Sequence, residues 1–106
     1  MPKVIEAELV IKEQLKPDIF KFGVKVGDIA KEILPGQFIE IQISEDYEPF
    51  LRRPISVYNL EKERGILEFI FRIGGKGTNI LAKKEVGDKI NIIGPLGHGT
   101  FKISRV

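Results

Sequence analysis

Cysteine is absent from all 106 residues, which removes disulfides, thiolate chemistry and any cysteine-held iron–sulfur or zinc centre within the chain. Histidine occurs once, as His98, and a single histidine does not make a metal site. An excess charge of one sign is missing too. With 17 Lys and Arg against 15 Asp and Glu the balance is +2, so neither nucleic-acid nor membrane binding can rest on bulk charge, and any basic site must be local. No apolar run reaches the length of a signal peptide or a membrane span, and the opening MPKVIEAELVIKEQ carries charge every few residues. A soluble, cytoplasmic protein is the expectation. The length suits one domain, residues 1–106, with a real hydrophobic core and no room for a second.

What the chain does have is alternation. Ile5, Ala7, Leu9 and Ile11 alternate with Glu6, Glu8 and Lys12, and Phe20, Phe22, Val24 and Val26 alternate with Lys21, Gly23 and Lys25. QFIEIQIS and ILEFIFRI repeat the pattern, the second setting Leu67, Phe69, Phe71 and Ile73 against Glu68 and Arg72, and KINII adds a short strand. Turn residues fall between: Lys16-Pro17-Asp18, Pro35-Gly36, Asn59 through Gly65, Gly87-Asp88 and Gly94-Pro95-Leu96-Gly97. Only GTNILAKKE, residues 77–85, reads as a helix, with Thr78 at its head. Short strands divided by short turns predict an all-β fold: a six-stranded antiparallel Greek-key barrel with one short α-helix, closed because closure removes exposed edges.

Three stretches carry candidate chemistry. In RRPIS, an extended strand sends Arg53 and Ile55 to one side and Ser56 to the other. A guanidinium can then meet an anion while an apolar side chain lies against a flat ring and a hydroxyl reaches a ring heteroatom. Alternatively, Pro54 marks an edge strand with solvated arginines. In GGKGTNIL the glycines allow close backbone approach, and the first amides of the helix suit a phosphate, with Thr78 adding a hydroxyl. Taken alone it reads equally as a glycine turn capped by Thr78, and it matches neither the Walker pattern nor the dinucleotide fingerprint. In GPLGHGTF, His98 has no carboxylate or nucleophile at a recognisable spacing.

In their order along the chain, PGQF, RRPIS, GKGT and GPLGHG resemble the FAD-binding barrel of the ferredoxin reductase superfamily, and within it most nearly the electron-transfer subunits of bacterial dihydroorotate dehydrogenases. The resemblance spans nearly the whole chain. It implies FAD as cofactor, with Arg53 at the pyrophosphate, Pro54, Ile55 and Ser56 lining the isoalloxazine, and Ser56 near N(5). Backbone groups of Ile70, Phe71 and Arg72 would hold the flavin and ribityl side, and Gly77 and Thr78 would cradle phosphate. No side chain would need to act as an acid or base. The implied system takes a hydride from NADH and passes electrons through a two-iron two-sulfur cluster to an FMN-containing dihydroorotate dehydrogenase catalytic subunit.

Ile55 stands where many relatives carry a ring-stacking tyrosine, a contribution of about 0.5–1.5 kcal/mol, which Tyr47 or Tyr58 could replace. His98-Gly99-Thr100 replaces a familiar Asn-Gly-Phe. Relatives continue into a nucleotide-binding domain and a four-cysteine cluster segment where this sequence reads FKISRV, so the expectation is the front portion of such a subunit. A ferredoxin-NADP or sulfide-type reductase barrel is the nearest alternative. A nucleic-acid or translation-factor-like barrel is the alternative of another class, and it would need a basic face with exposed aromatics.

Overall fold

The computed structural model describes residues 3–34, 37–42 and 52–97, with Arg52, Arg53 and Lys76 described by their backbone alone. Six strands follow in order: β1 (Lys3–Lys16), β2 (Ile19–Lys25), β3 (Phe38–Gln42), β4 (Arg52–Glu61), β5 (Ile66–Arg72) and β6 (Lys89–Leu96). They close into an antiparallel barrel in the spatial order β1-β2-β5-β4-β3-β6, a Greek-key path in which β2 pairs with β5. The ends of β1, β3 and β5 and the starts of β2 and β4 gather at one mouth, since Lys16 faces Ile19, Ile19 faces Arg72, and Gln42 faces Arg52.

The alternation in the sequence becomes the core. Ala7, Leu9, Phe22, Val24, Ile39, Ile41, Leu67, Phe69, Ile90 and Ile92 are buried in one cluster. Four phenylalanines from β2 and β5 fill its centre: Phe22 meets Phe71 edge-on at 5.0 Å between centroids, and Phe20 stacks on Phe71 at 5.9 Å and 18°. Such pairs add roughly 0.5–1.5 kcal/mol each beyond the area they bury.

One strand departs from simple alternation. The β1–β2 register slips between Leu9 and Ile11, so Leu9 faces buried Val24 while Ile11 faces Gly23. The bulge inverts the phase: Ile11 leaves the inner row, and Lys12, opposite Phe22, enters it. Gly23 is what admits Ile11 on the outer face, since a Cβ there would lie 2.9 Å from the Ile11 side chain. On that same outer row Glu68 is 5 % exposed rather than solvated as its strand position predicts. It faces Gly23 and Asn59, accepts from the Asn59 amide at 3.4 Å, and lies 4.0 Å from the Lys21 ammonium. Lys21 is held above the ordinary lysine range, chiefly by its hydrogen bond to Glu13, with burial opposing and Glu68 adding attraction. A raised lysine pKa contributes stability that is complete below the ordinary value and lost as pH rises through the raised one, so the contribution of Lys21 does not vary with pH near neutrality.

Three further differences have local causes. Residues Gly27–Glu32 form a 3-10 helix that sequence periodicity did not reveal; six residues are too few to show a period, yet Ile29 and Ala30 are buried against the barrel. The α-helix, α1, runs over Lys76–Ala82 and stops short of Glu85. There Asp88 accepts from the Glu85 amide and Gly87 donates to Leu9, so the chain turns to start β6. Finally, β6 continues through Gly94, Pro95 and Leu96, so these residues belong to the last strand and the bend comes at Gly97. His98, Tyr47 and Pro35-Gly36 lie outside the described residues.

Candidate functional site

The barrel ladder is incomplete at one place. The β4–β5 register runs from Glu61↔Ile66 to Val57↔Phe69, and among the described residues no further rung joins them, although β4 extends back to Arg52 and β5 on to Arg72. Over this stretch β4 pairs with β3, Ser56 facing Phe38 and Ile55 facing Ile39, and β5 pairs with β2, Ile70 facing Lys21 and Phe71 facing Phe20. Two strands thus part toward the mouth, each with one sheet neighbour. Backbone groups of Ile70, Phe71 and Arg72 directed away from β2 have no strand partner there, and a ligand inserted in the cleft can take their hydrogen bonds.

The residues predicted from sequence bracket this cleft. Pro54 and Ser56 are exposed on the outer side of β4, while Ile55 is half-buried against the core. The alternation expected of the strand is therefore present, and Ile55 lies on the core side, away from Pro54 and Ser56. Arg53 occupies the register position opposite Ile41, two rungs nearer the mouth than Ile55. A slip in the β4–β5 register between Val57 and Asn59 makes Tyr58 the bulged residue, 60 % exposed, two positions along the strand from Ser56. Phe71 is buried, and Arg72 is exposed with its guanidinium 3.5 Å from Asp18.

The chain leaves β5 through Gly74 and Gly75 directly into α1. A Cβ at either glycine would meet nothing within 4 Å, so this loop faces open space at the mouth. Gly75, not Thr78, is the N-cap, and no side chain caps the helix. Thr78 sits in the first turn: its hydroxyl accepts from the Gly74 amide at 2.8 Å and donates to the Gly75 carbonyl at 3.2 Å. A hydroxyl has one proton, and this one is committed. Thr78 therefore shapes the glycine loop, and an anion there would meet backbone amides. No acidic residue in the first turn opposes one.

A groove of about 300 Å³ lies farther along β4, between Tyr58, Leu60, Ile33 and Leu34. Gln37 on its wall is spent internally, accepting from the Leu34 amide at 2.8 Å and donating to the Gly97 carbonyl at 3.1 Å. Among the described residues no group of acidic or histidine side chains could hold a metal, and no helix is long and apolar enough to cross a membrane.

A six-stranded Greek-key barrel with a cleft between two parted strands and a glycine loop at its mouth defines a flavin-binding type of domain. Residues 6–101 match the oxidoreductase FAD-binding domain family, and the chain belongs to it. It is 38% identical over 99 residues to the dihydroorotate dehydrogenase B (NAD(+)) electron transfer subunit of Desulforamulus reducens, a match covering 93% of this chain and 38% of that protein. The corresponding subunit of Bacillus cereus is 45% identical over 91 residues, covering 86% of this chain and 35% of its own length. Among solved structures, an NADH-dependent reduced ferredoxin-NADP oxidoreductase of flavin-based electron bifurcation superposes with a TM-score of 0.80 at 32% identity, over 92% of this chain and 34% of that one. The chain thus spans little more than a third of the length of these relatives.

The residues present fit FAD. The strand cleft offers unpaired backbone groups to a planar heterocycle, exposed Ser56 offers a hydroxyl beside it, and the first turn of α1 offers amides that no side chain caps at the end where phosphates would lie.

Proposed function

We propose that this chain is the FAD-holding portion of an NADH-linked electron-transfer subunit of the dihydroorotate dehydrogenase B type. The observation that carries the reading is the parting of β4 from β5 beside the glycine entry to α1, in a chain of the FAD-binding family. In this reading Ser56 lies near the flavin N(5), and Pro54 flanks the ring on the outer face of β4. Ile55 contributes from the core side, fixing the strand by packing rather than covering the ring. Tyr58, the exposed bulge residue, is available to supply the aromatic contact that Ile55 lacks. Backbone groups of Ile70, Phe71 and Arg72 take the ring and ribityl hydrogen bonds, and Arg53 and the amides of Gly77 and Thr78 take the pyrophosphate.

When bound, FAD supplies the capacity to accept a hydride as an electron pair and return single electrons. The chain's own part is to bind, orient and shield. NADH, a two-iron two-sulfur cluster and an FMN-containing catalytic subunit are the implied partners, each outside these 106 residues, and the cytoplasm is the implied setting. The oxidoreductase of electron bifurcation, at 32% identity, favours a second reading as the flavin barrel of a ferredoxin-NADP type reductase. The acceptor separates the two: a dihydroorotate dehydrogenase catalytic subunit in one, ferredoxin in the other.

Calorimetry with FAD and riboflavin tests the phosphate assignment. FAD is expected to bind more tightly, and equal affinities would contradict it. Within the same assay Arg53→Ala is expected to weaken FAD binding by about 1.5–3 kcal/mol, the scale of a hydrogen bond to a charged group. Arg52→Ala, one position off along the strand, is expected to matter less. Equal losses would mean that the wrong face of β4 has been assigned to the phosphates.

A further inference from the structure

The inner row of β4 loses its two-residue step at one place. Ile55 and Val57 both pack against the core, but the next residue of the strand to do so is Leu60, three positions on. A regular strand cannot put Val57 and Leu60 on one face, so an extra residue must stand between them. Two positions serve that pattern equally. With Val57 opposite Phe69 and Leu60 opposite Leu67, either Tyr58 or Asn59 can be the extra residue while the other faces Glu68. Core packing is the same in both, so it does not choose between them.

The choice is made on the outer face. Asn59 stands opposite Glu68, and its amide donates to the Glu68 carboxylate at 3.4 Å. Lys21 of β2, itself 3.2 Å from Glu13, approaches the same carboxylate oxygen at 4.0 Å. Glu68, 5% exposed, is the one buried charged residue among the described residues. A buried carboxylate is costly unless it is paired and hydrogen-bonded, so it favours the register that brings it a donor. The short Asn59 side chain meets a carboxylate on the facing residue, whereas the hydroxyl of a tyrosine, carried at the far end of a rigid ring, projects past it.

We infer that Glu68 is a positioning residue of the flavin cleft, holding Asn59 in the ladder so that Tyr58 is the bulged residue and its ring stands at the closed end of the cleft; the inference rests on the FAD reading above. The bulge adjoins the last rung of the β4–β5 ladder, Val57 with Phe69. A residue outside the ladder is free to lean away from the sheet, and Tyr58 is exposed on the wall of the groove it shares with Ile33, Leu34 and Leu60. With Asn59 bulged instead, Tyr58 would be held opposite position 68 with its ring across β5, and an amide would stand free at the cleft. Glu68 thus acts on the ligand only through Asn59 and the register.

Glu68→Val replaces the buried carboxylate by a strand-forming apolar residue, and its register is read by NMR without any flavin. In the parent, cross-strand backbone contacts join residue 68 to Asn59; in Glu68→Val they are expected to pass to Tyr58. Because a tyrosine ring against a flavin quenches its emission by electron transfer, Tyr58→Leu is expected to brighten bound FAD several-fold. Glu68→Val is expected to brighten it nearly as much, and Glu68→Gln, which keeps an acceptor for Asn59, to stay as dark as the parent. A merely structural Glu68 would change the melting temperature and leave register and emission as they are, and that result would overturn the inference. A bright Glu68→Gln, or a Tyr58→Leu as dark as the parent, would overturn it as well. Should Glu68→Val not fold, Asn59→Ala, at the exposed end of the same bond, is read against the same outcomes. A parent chain that holds no FAD would overturn the FAD reading and the flavin role of Tyr58 with it, and the register measured without flavin separates that failure from a wrong assignment of Glu68.

Discussion

Mixed with NADH, the FAD-loaded 106-residue chain is expected to keep its flavin absorbance, while dithionite bleaches it at once. The sequence contains no G-x-G-x-x-G fingerprint of a nicotinamide-dinucleotide site, and the one glycine entry to a helix that it offers, GGKGT, is assigned here to FAD. It contains no cysteine to ligate a cluster that would carry electrons onward. Hydride transfer needs the nicotinamide held against the flavin, and without a binding site the advantage of proximity, worth up to about 7–11 kcal/mol of barrier, is lost. Dithionite needs no site. Supplying the remainder of such a subunit, fused or in trans, is expected to restore NADH oxidation. Stopped-flow absorbance decides the matter: rapid bleaching that saturates with NADH concentration would reveal a nicotinamide site within the barrel and would overturn the division of labour proposed here.

Gly65→Ala is expected to be the most damaging of the single glycine substitutions. Gly65 ends the β4–β5 turn at φ +69, and its carbonyl accepts from the amides of Val26 at 2.8 Å and Gly27 at 3.1 Å. That contact ties the hairpin to the start of the 3-10 helix. A methyl at Gly65 would lie 2.9 Å from Gly27 Cα and 3.0 Å from its nitrogen and oxygen, backbone atoms that cannot swing aside. The left-handed backbone costs about 1–2 kcal/mol and the clash about 1–3 kcal/mol more, for a loss of roughly 2–5 kcal/mol. Gly87→Ala is the control: φ is +103, but nothing lies within 4 Å, so only the backbone cost applies. Denaturant unfolding of the two variants is expected to place Gly65→Ala well below Gly87→Ala, and equal midpoints would mean that the Gly65–Gly27 approach relaxes freely.

The barrel was legible because alternation is a two-residue signal carried by many residues at once. Phe20, Phe22 and Val24, or Leu67, Phe69 and Phe71, declare an inner face whatever their neighbours do. Events of single residues were not legible. A bulge at Val10 leaves the sequence looking alternate while turning Ile11 outward and Lys12 inward, and only the partner strand, through Gly23 and Phe22, records the change. Glu68 reads as a solvated strand residue because the side chains that meet it, Lys21 and Asn59, come from other strands. The helical string extends three residues past the end of α1, since Lys83, Lys84 and Glu85 favour helix locally but are claimed by the turn onto Leu9.

The site divides along the same line. RRPIS and GGKGT are local strings, and their neighbourhood at one mouth follows from the antiparallel pairing of β4 and β5. The function of the cleft depends on where that pairing stops, at Val57 and Phe69, and no residue announces it. Tyr58 gains its exposed place from a register slip, again a property of two strands together. Thr78 shows the reverse case: the residue type suggests a free hydroxyl, and the bonds of that hydroxyl to Gly74 and Gly75, which no string announces, tie it to the loop.

The most direct test of the account is the visible absorption spectrum of the purified chain, taken after incubation with excess FAD and removal of free ligand by desalting. A barrel whose parted strands and glycine loop hold FAD comes through yellow, with the flavin band retained in proportion to protein. A colourless protein, with all the flavin in the small-molecule fraction and a native fold by circular dichroism, would contradict the claim that these residues form the cofactor site.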